Sequence, residues 1–237
     1  MSLLRVERVS KRYRRGAREF VALREVSVEM DRGELVAVLG TRRSGRSTLL
    51  RVAAGLERPD EGVVRFDGRD LARASDALGR RLCFCHATFS AMEGERALDH
   101  VASPLLAQGS SLGEARHTAE LCLRQVSAEH CASLRPDELD GAERMRVAIA
   151  RALACGPDLI VVDDPLAEAG VMQSDQLLRL LRSLTAENGP GVLMSTDDAM
   201  CVSGAKRVLL LDQGQLRPEA QSPPAQVVSL EARRAGI

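Results

Sequence analysis

The sequence carries no excess charge of either sign. In 237 residues 33 basic side chains stand against 33 acidic ones, and the only lysines are Lys11 and Lys206. No basic run exceeds Lys11-Arg12-Tyr13-Arg14-Arg15, so the electrostatic footprint that dominates nucleic-acid binding is missing and no nucleic-acid partner is expected. No apolar run approaches the ~20 residues that span a bilayer. The opening Met1-Ser-Leu-Leu-Arg-Val-Glu-Arg has no apolar core between a basic segment and a cleavage site, and a cytoplasmic protein is expected. Cys83, Cys85, Cys122, Cys131, Cys155 and Cys201 lack paired C-x-x-C spacing; in a reducing compartment they read as free thiols. Internal repeats and low-complexity tracts are also missing. The composition excludes collagen, coiled coil and disorder, and fits one α/β domain with room for a subdomain. A chain of this length buries enough surface to fold without disulfide or structural metal.

What is present reads as strands, then helices, then strands again. Leu3 to Val9 and Ala22 to Met30 are apolar-rich with partial alternation, and Asp31-Arg32-Gly33 turns into the buried-strand pattern Glu34 to Leu39. A polar loop from Gly40 to Gly45 leads to Ser47–Ala54, which has helical apolar spacing and stops at Gly55. Val63 to Phe66 and Arg81 to Cys85 are further strands. From about Ala91 to Cys155 the texture is helical, with Ser111-x-x-Glu114 and Asp140-x-x-Glu143 as capping boxes. Strand texture returns at Leu159–Asp163, Gly191–Ser195 and Arg207–Leu211, with a helix from about Gln173 to Glu187. The expected organisation is a core in two parts, residues 1–90 and 156–220, a helical subdomain at 91–155, and a tail at 221–237. Strands alternating with helices predict a mainly parallel sheet, with ligands bound beyond the carboxyl ends of its strands.

The loop Gly40-Thr-Arg-Arg-Ser44-Gly45-Arg46-Ser47-Thr48 has the spacing of a phosphate-binding loop, G-x-x-x-x-G-K-[ST], with Arg46 in the lysine position. Such a loop aims backbone N–H groups and a helix N-terminus at phosphate oxygens, and the Ser47 hydroxyl is placed to ligand Mg²⁺. About a hundred residues on, an apolar strand ends in Asp163-Asp164-Pro165. In P-loop proteins an acid at such a strand end holds Mg²⁺ through water. Either feature alone has a structural explanation, a turn or a solvated strand end; together they are specific.

From Leu3 to about Leu216 the chain resembles the ATP-binding subunit of ABC transporters, and most closely the lipoprotein-releasing and macrolide-exporter branch. Supporting stretches are Leu49 to Pro59, Asp67-Gly-Arg-Asp-Leu71, Ala148-Ile-Ala-Arg-Ala-Leu153, Asp163-Asp-Pro165 and Leu211-Asp-Gln-Gly-Gln-Leu216. The resemblance implies a P-loop NTPase (RecA-like) α/β fold with antiparallel β-strands, ATP and Mg²⁺ as cofactors, a membrane permease as partner, and a second cassette in a homo- or heterodimer. It implies adenine stacking on Tyr13, phosphate binding by Gly40, Arg43, Ser44, Gly45, Arg46, Ser47 and Thr48, and Mg²⁺ binding by Ser47 and Asp163. Asp140 and Gly141 would face the nucleotide held by the opposite subunit.

The chain departs from the family pattern where chemistry is done. Arg43 stands for the middle glycine of the loop and Arg46 for its lysine. Ala87 replaces the glutamine that links the site to the permease, and Leu139-Asp-Gly-Ala-Glu143 replaces the signature Leu-Ser-Gly-Gly-Gln. Asp164 stands for the glutamate that polarises the attacking water, Gly170 falls about where the aspartate of the next loop belongs, and Asp197 replaces the switch histidine. Guanidinium keeps the charge of ammonium but not its compact geometry. A carboxylate at Asp140 or Asp197 accepts but cannot donate, and faces phosphate as a like charge.

The primary expectation is therefore a degenerate cassette, a pseudo-ATPase with strongly impaired hydrolysis, acting as a structural or regulatory partner of a permease at the inner face of the membrane. An active ATPase for lipid, lipoprotein or drug export, and a scaffold without nucleotide, are the alternatives. Cys83-Phe-Cys85-His86 reads as a strand rather than a metal site. His100, His117 and His130-Cys131 lack complementary spacing and read as surface or core residues. Arg14-Arg15 reads as a solvated turn.

Overall fold

The computed structural model describes residues 2–16, 18–73, 81–86, 95–167, 169–186, 189–202 and 204–217. Two sheets organise them. One is antiparallel, in the order β2-β1-β4-β5, built from β1 (Leu4–Arg15), β2 (Arg18–Met30), β4 (Glu61–Phe66) and β5 (Arg69–Asp70). The other is six-stranded, β10-β9-β3-β8-β7-β6, from β3 (Leu35–Leu39), β6 (Leu82–His86), β7 (Leu159–Asp163), β8 (Gly191–Thr196), β9 (Arg207–Asp212) and β10 (Gln215–Leu216). Within it β9, β3, β8, β7 and β6 run parallel and β10 is antiparallel at the edge.

The central strands are apolar up to their carboxyl ends, where Asp163, Ser195 and Thr196 stand, because both sheet faces are covered. Val36, Val38, Leu159, Val161 and Leu193 face one core, shared with Leu4, Val6 and Phe66 of the antiparallel sheet. Leu49, Leu50 and Val52 of α1 (Arg46–Ala53) fill that same core. Leu35, Ala37, Ile160, Val162, Val192 and Met194 face the other core, under α2 (Ala97–Ala107), α3 (Leu112–Gln125), α4 (Gly141–Ala154) and α5 (Val171–Leu184). Each buried aliphatic side chain contributes about 1.5–3 kcal/mol of transfer free energy, so this two-sided burial fixes the strand register that places the site.

Both expected capping boxes form. Ser111 Oγ accepts from Glu114 N–H (3.3 Å) while Glu114 accepts from Ser111 N–H (3.0 Å), and Asp140 with Glu143 repeats the arrangement at α4. Arg14 and Arg15, expected in a turn, instead end β1, opposite Glu19 and Arg18. The strand extends because Tyr13 pairs with Phe20 across the hairpin, their rings stacked with centroids 5.3 Å apart, the kind of aromatic pair that stabilises antiparallel strands. Cys83 and Cys85 share one face of β6, their sulfurs toward the Ala152 and Ala148 carbonyls of α4, as a strand reading requires. Among the described residues no helix is long and apolar enough to cross a membrane. Ala87 and the tail 221–237 lie outside the described residues.

Candidate functional site

The site forms where the parallel strands end. β3 runs into the loop at Gly40, whose N–H donates to Thr196 O at the end of β8 (3.2 Å). A Cβ on Gly40 would stand 2.4 Å from Leu211 O, and one on Gly45, at φ +105°, 2.3 Å from Ala22 O. Only glycine fits at these two places. Gly214 N–H donates to Ser44 O (2.9 Å), so the β9–β10 turn backs the loop. Arg43 is the exception: it lies at φ +66°, in the left-handed region, with a side chain. Sequence reading placed a glycine of the family there, and the backbone still has the glycine conformation.

The loop delivers α1 with its N-terminus open. No acidic residue occupies the first turn of α1, so its positive end is left for an anion. Arg46 opens the helix only 8% exposed. Its Nη1 and the Ser44 Oγ are buried without a hydrogen-bond partner among the described residues. Such groups are costly to leave unpaired, and both belong to the loop and first helical residue that a bound anion would meet. Arg46 Nη2 meets Asp197 Oδ2 at 3.8 Å, just past the end of β8.

Three oxygens lock together beside it. Ser47 Oγ donates to Asp163 Oδ1 (3.2 Å), Ser195 Oγ donates to the same oxygen (2.7 Å), and Asp164 N–H donates to Ser195 Oγ (2.8 Å). These hard oxygen donors are the chemistry Mg²⁺ prefers. Asp164 follows at φ +47°. Burial pushes its carboxyl pKa up, Arg46 opposes this, Asp197 and Asp163 add to it, and His86 opposes it again. A cavity of about 390 Å³ beside these acids is lined by Asp164, Asp175, Asp197, Asp198 and Arg182 among others, so the local potential is dominated by carboxylates.

Tyr13 lies at the outer edge of the loop, its hydroxyl hydrogen-bonded to Glu57 and 3.5 Å from Thr48 Oγ1. Asp140 and Gly141 lie elsewhere, at the start of α4. Asp140 Oδ1 accepts from Glu143 N–H (2.8 Å) and Oδ2 from Gln173 Nε2 (3.0 Å), while Gln173 Oε1 accepts from Gly170 N–H (3.0 Å). Gln173 thus ties the beginnings of α4 and α5. The structure therefore gathers Gly40, Arg43, Ser44, Gly45, Arg46, Ser47, Thr48, Asp163, Asp164 and Asp197 into one site, with Tyr13 at its margin and Asp140 and Gly141 on another surface. Sequence reading missed Ser195, Glu57, Phe20 and Gln173. No motif marks them, because their partners lie 31, 44, 7 and 33 residues away.

A P-loop between a parallel strand and helix, with a second strand ending in an acid beside the loop serine, defines a nucleotide-binding cassette. Residues 23–167 match the family described as ABC transporter, and the chain belongs to that family. Over 223 residues it is 35% identical to the lipoprotein-releasing system ATP-binding protein LolD of Chromohalobacter salexigens, covering 92% of this chain and 94% of that protein. The fold is similar to the dimeric structure of MJ0796, a bacterial ABC transporter cassette, with TM-score 0.83 and 29% identity over 91% of this chain and 97% of the other. A post-hydrolysis state of MJ0796 bound to ADP and Pi superposes equally well, again with TM-score 0.83. The chain is thus an ABC transporter ATP-binding subunit, similar to LolD.

Proposed function

We propose that this cassette binds ATP less tightly than an intact site and hydrolyses it very slowly, acting as a structural or regulatory partner of a membrane permease. The Arg46–Asp197 pair carries the reading: the loop cation already faces a carboxylate where a donor to phosphate is needed. Like charges 4 Å apart repel by about 1 kcal/mol in bulk water and about 4 kcal/mol near a protein surface. Asp197 is half-exposed and falls toward the lower figure.

In this reading the loop amides, Arg46, Ser47 and Thr48 hold the phosphates, Tyr13 the adenine, and Ser47 with Asp163 the Mg²⁺. Bound Mg²⁺ supplies charge neutralisation across the phosphates. Asp163 is oriented by two hydroxyls, and Asp164 is held through its N–H by Ser195, one methylene short of a glutamate's reach. Asp140 has both carboxylate oxygens engaged within its own chain, capping α4 and meeting Gln173. It supports the fold while offering no donor to phosphate on an opposed subunit. The helical segment 91–155 is the subdomain that presents this altered signature, between core parts 1–90 and 156–220. The dimer of MJ0796 supports pairing with a second cassette, and membership of the ABC transporter family supports work at the inner membrane face through a permease.

One observation favours the active alternative. The raised Asp164 pKa suits a general base, whose pKa works best near the operating pH. Steady-state phosphate release from the purified chain with its permease decides between them. Turnover far below the common enzyme range supports the degenerate reading, and about 1 s⁻¹ or more overturns it.

A further inference from the structure

We propose that His130, Cys131 and Glu143 form a binding site for a divalent transition-metal ion of the Zn²⁺ type, separate from the nucleotide site. Among the described residues one group of three such donors converges: His130 ring nitrogen, Cys131 Sγ and a Glu143 carboxylate oxygen all lie within 4.8 Å of one another. His130 Nε2 is 3.0 Å from Glu143 Oε1. Tetrahedral Zn²⁺, with bonds of about 2.0 Å to nitrogen and oxygen and 2.3 Å to sulfur, needs donors roughly 3.3–3.5 Å apart. Side-chain adjustments of about an ångström would therefore close the site. The sequence offers no C-x-x-C or H-x₃-H spacing here because the third donor comes from another element, thirteen residues along the chain.

Two rigid pieces of backbone hold the donors. A 3₁₀ turn, Glu129–Cys131, is closed by Cys131 N–H to Ala128 O (3.0 Å) and Ala132 N–H to Glu129 O (3.2 Å). Glu143 is fixed in the first turn of α4, where its Oε2 accepts from Asp140 N–H (2.9 Å). Glutamine would serve that capping bond equally well; the carboxylate adds a second, anionic oxygen, Oε1, turned to His130. The sulfur lies on the inner side, with Cys131 fully buried, and the His130 ring lies on the outer side, 59% exposed. An ion would enter past His130 and keep its fourth position toward water. The nearby Arg146 directs its guanidinium at Val126 O (2.6 Å).

Burial, with Glu143 and Asp140 next, pushes the Cys131 thiol up to about 11. It is neutral without metal, and coordination replaces its proton, released to solvent, by the cation. Thiolate, imidazole and carboxylate together select Zn²⁺ or Co²⁺ over Mg²⁺ or Ca²⁺. The ion would pin the 3₁₀ turn to the first turn of α4, the turn that orients Asp140.

The test is titration of the reduced full-length chain with Co²⁺, followed by the sulfur-to-cobalt charge-transfer band, with Zn²⁺ competition and circular dichroism to verify the fold. The expected result is one equivalent of Co²⁺ with that band, displaced by Zn²⁺, lost in Cys131→Ser and weakened about tenfold or more in affinity in His130→Ala and Glu143→Gln. His130 is exposed and Glu143→Gln keeps the cap, so these two variants report even where Cys131→Ser fails to fold. No band in the unaltered chain, or full affinity in both His130→Ala and Glu143→Gln, overturns the site.

Discussion

Arg46 and Asp197 stand face to face across the ends of β3 and β8, guanidinium Nη2 to carboxylate Oδ2 at 3.8 Å. One residue opens the phosphate-loop helix and the other follows the strand beside it, so both line the space an anion would enter. A carboxylate there competes with phosphate for the same cation. Asp197→Asn removes the competing charge and leaves Arg46 to the nucleotide. Arg46 is buried but Asp197 is half-exposed, and solvent screening at the open end holds the pair to about 1 kcal/mol, the upper end of the range for surface pairs. The expected gain is thus up to about fivefold in affinity for Mg-ATP, measured by titration with a fluorescent ATP analogue. Unchanged or weaker binding would show that Asp197 does not compete.

Asp164 provides a test with two readouts. Asp164→Asn leaves the slow turnover unchanged if hydrolysis does not use this carboxylate, and abolishes turnover if it is the base. Stability gives the second readout. Burial raises the folded-state pKa above the unfolded value, so the folded chain binds the proton more tightly and this carboxyl favours folding only at low pH. That contribution is lost as pH rises through the folded pKa. Asp164→Asn should therefore raise the melting temperature at neutral pH, with the gain shrinking as pH falls into the carboxylate range. Asparagine tolerates the left-handed backbone at this position, so strain does not confuse the comparison. An equal effect at both pH values would contradict the burial argument.

The fold was largely legible because its signals are local. The β3–loop–α1 unit is read from glycine spacing and apolar runs, and the caps of α3 and α4 from pairs three residues apart. The hairpin end at Arg14 and Arg15 was not legible, since it depends on Tyr13 meeting Phe20 across a turn. The site divides the same way. Gly40, Ser47 and Asp163 announce themselves by motif, whereas Ser195 matters only because β8 lies beside β7 and brings its hydroxyl to Asp163. The pairing of Arg46 with Asp197 is likewise invisible in the sequence, where each stands out only by itself and 151 positions separate them.

Arg43 offers a stability test free of chemistry. Its φ of +66° costs a residue with a Cβ roughly 1–2 kcal/mol, and the side chain is exposed. Arg43→Gly removes the strain but adds freedom to the unfolded chain, which returns about 0.4–1 kcal/mol. A net stabilisation of a few tenths to about 1 kcal/mol is expected, read as a higher urea midpoint at unchanged slope. A lower midpoint would mean that Arg43 makes a stabilising contact.

Asp140 separates its two roles by substitution. Alanine removes the side-chain oxygen that caps α4, and loss of such a cap costs about 1 kcal/mol, within a range of roughly 0.5–2. Serine keeps an acceptor for Glu143 N–H and removes the charge. Asp140→Ala should lower the urea midpoint, and Asp140→Ser should stay near the unaltered value while strengthening ATP-dependent association of cassettes. Equal destabilisation by both would place the effect in the contact to Gln173.

Pairing defects offer no escape if the sites are shared between subunits. In a head-to-tail dimer each nucleotide lies between one subunit's phosphate loop and the other's signature. A normal partner would bring an intact signature to Arg43 and Arg46 at one site, and an intact loop to Asp140 at the other. Both sites would keep an altered side. Removal of one donor to developing charge typically costs 10²- to 10³-fold in rate, though losses within one unit are not additive. Mixing this chain with an intact cassette should therefore yield heterodimers that release phosphate at least about 10²-fold more slowly than the intact homodimer, after correction for residual homodimer. Recovery of the homodimer's rate in purified heterodimers would show that the altered residues are tolerated in catalysis.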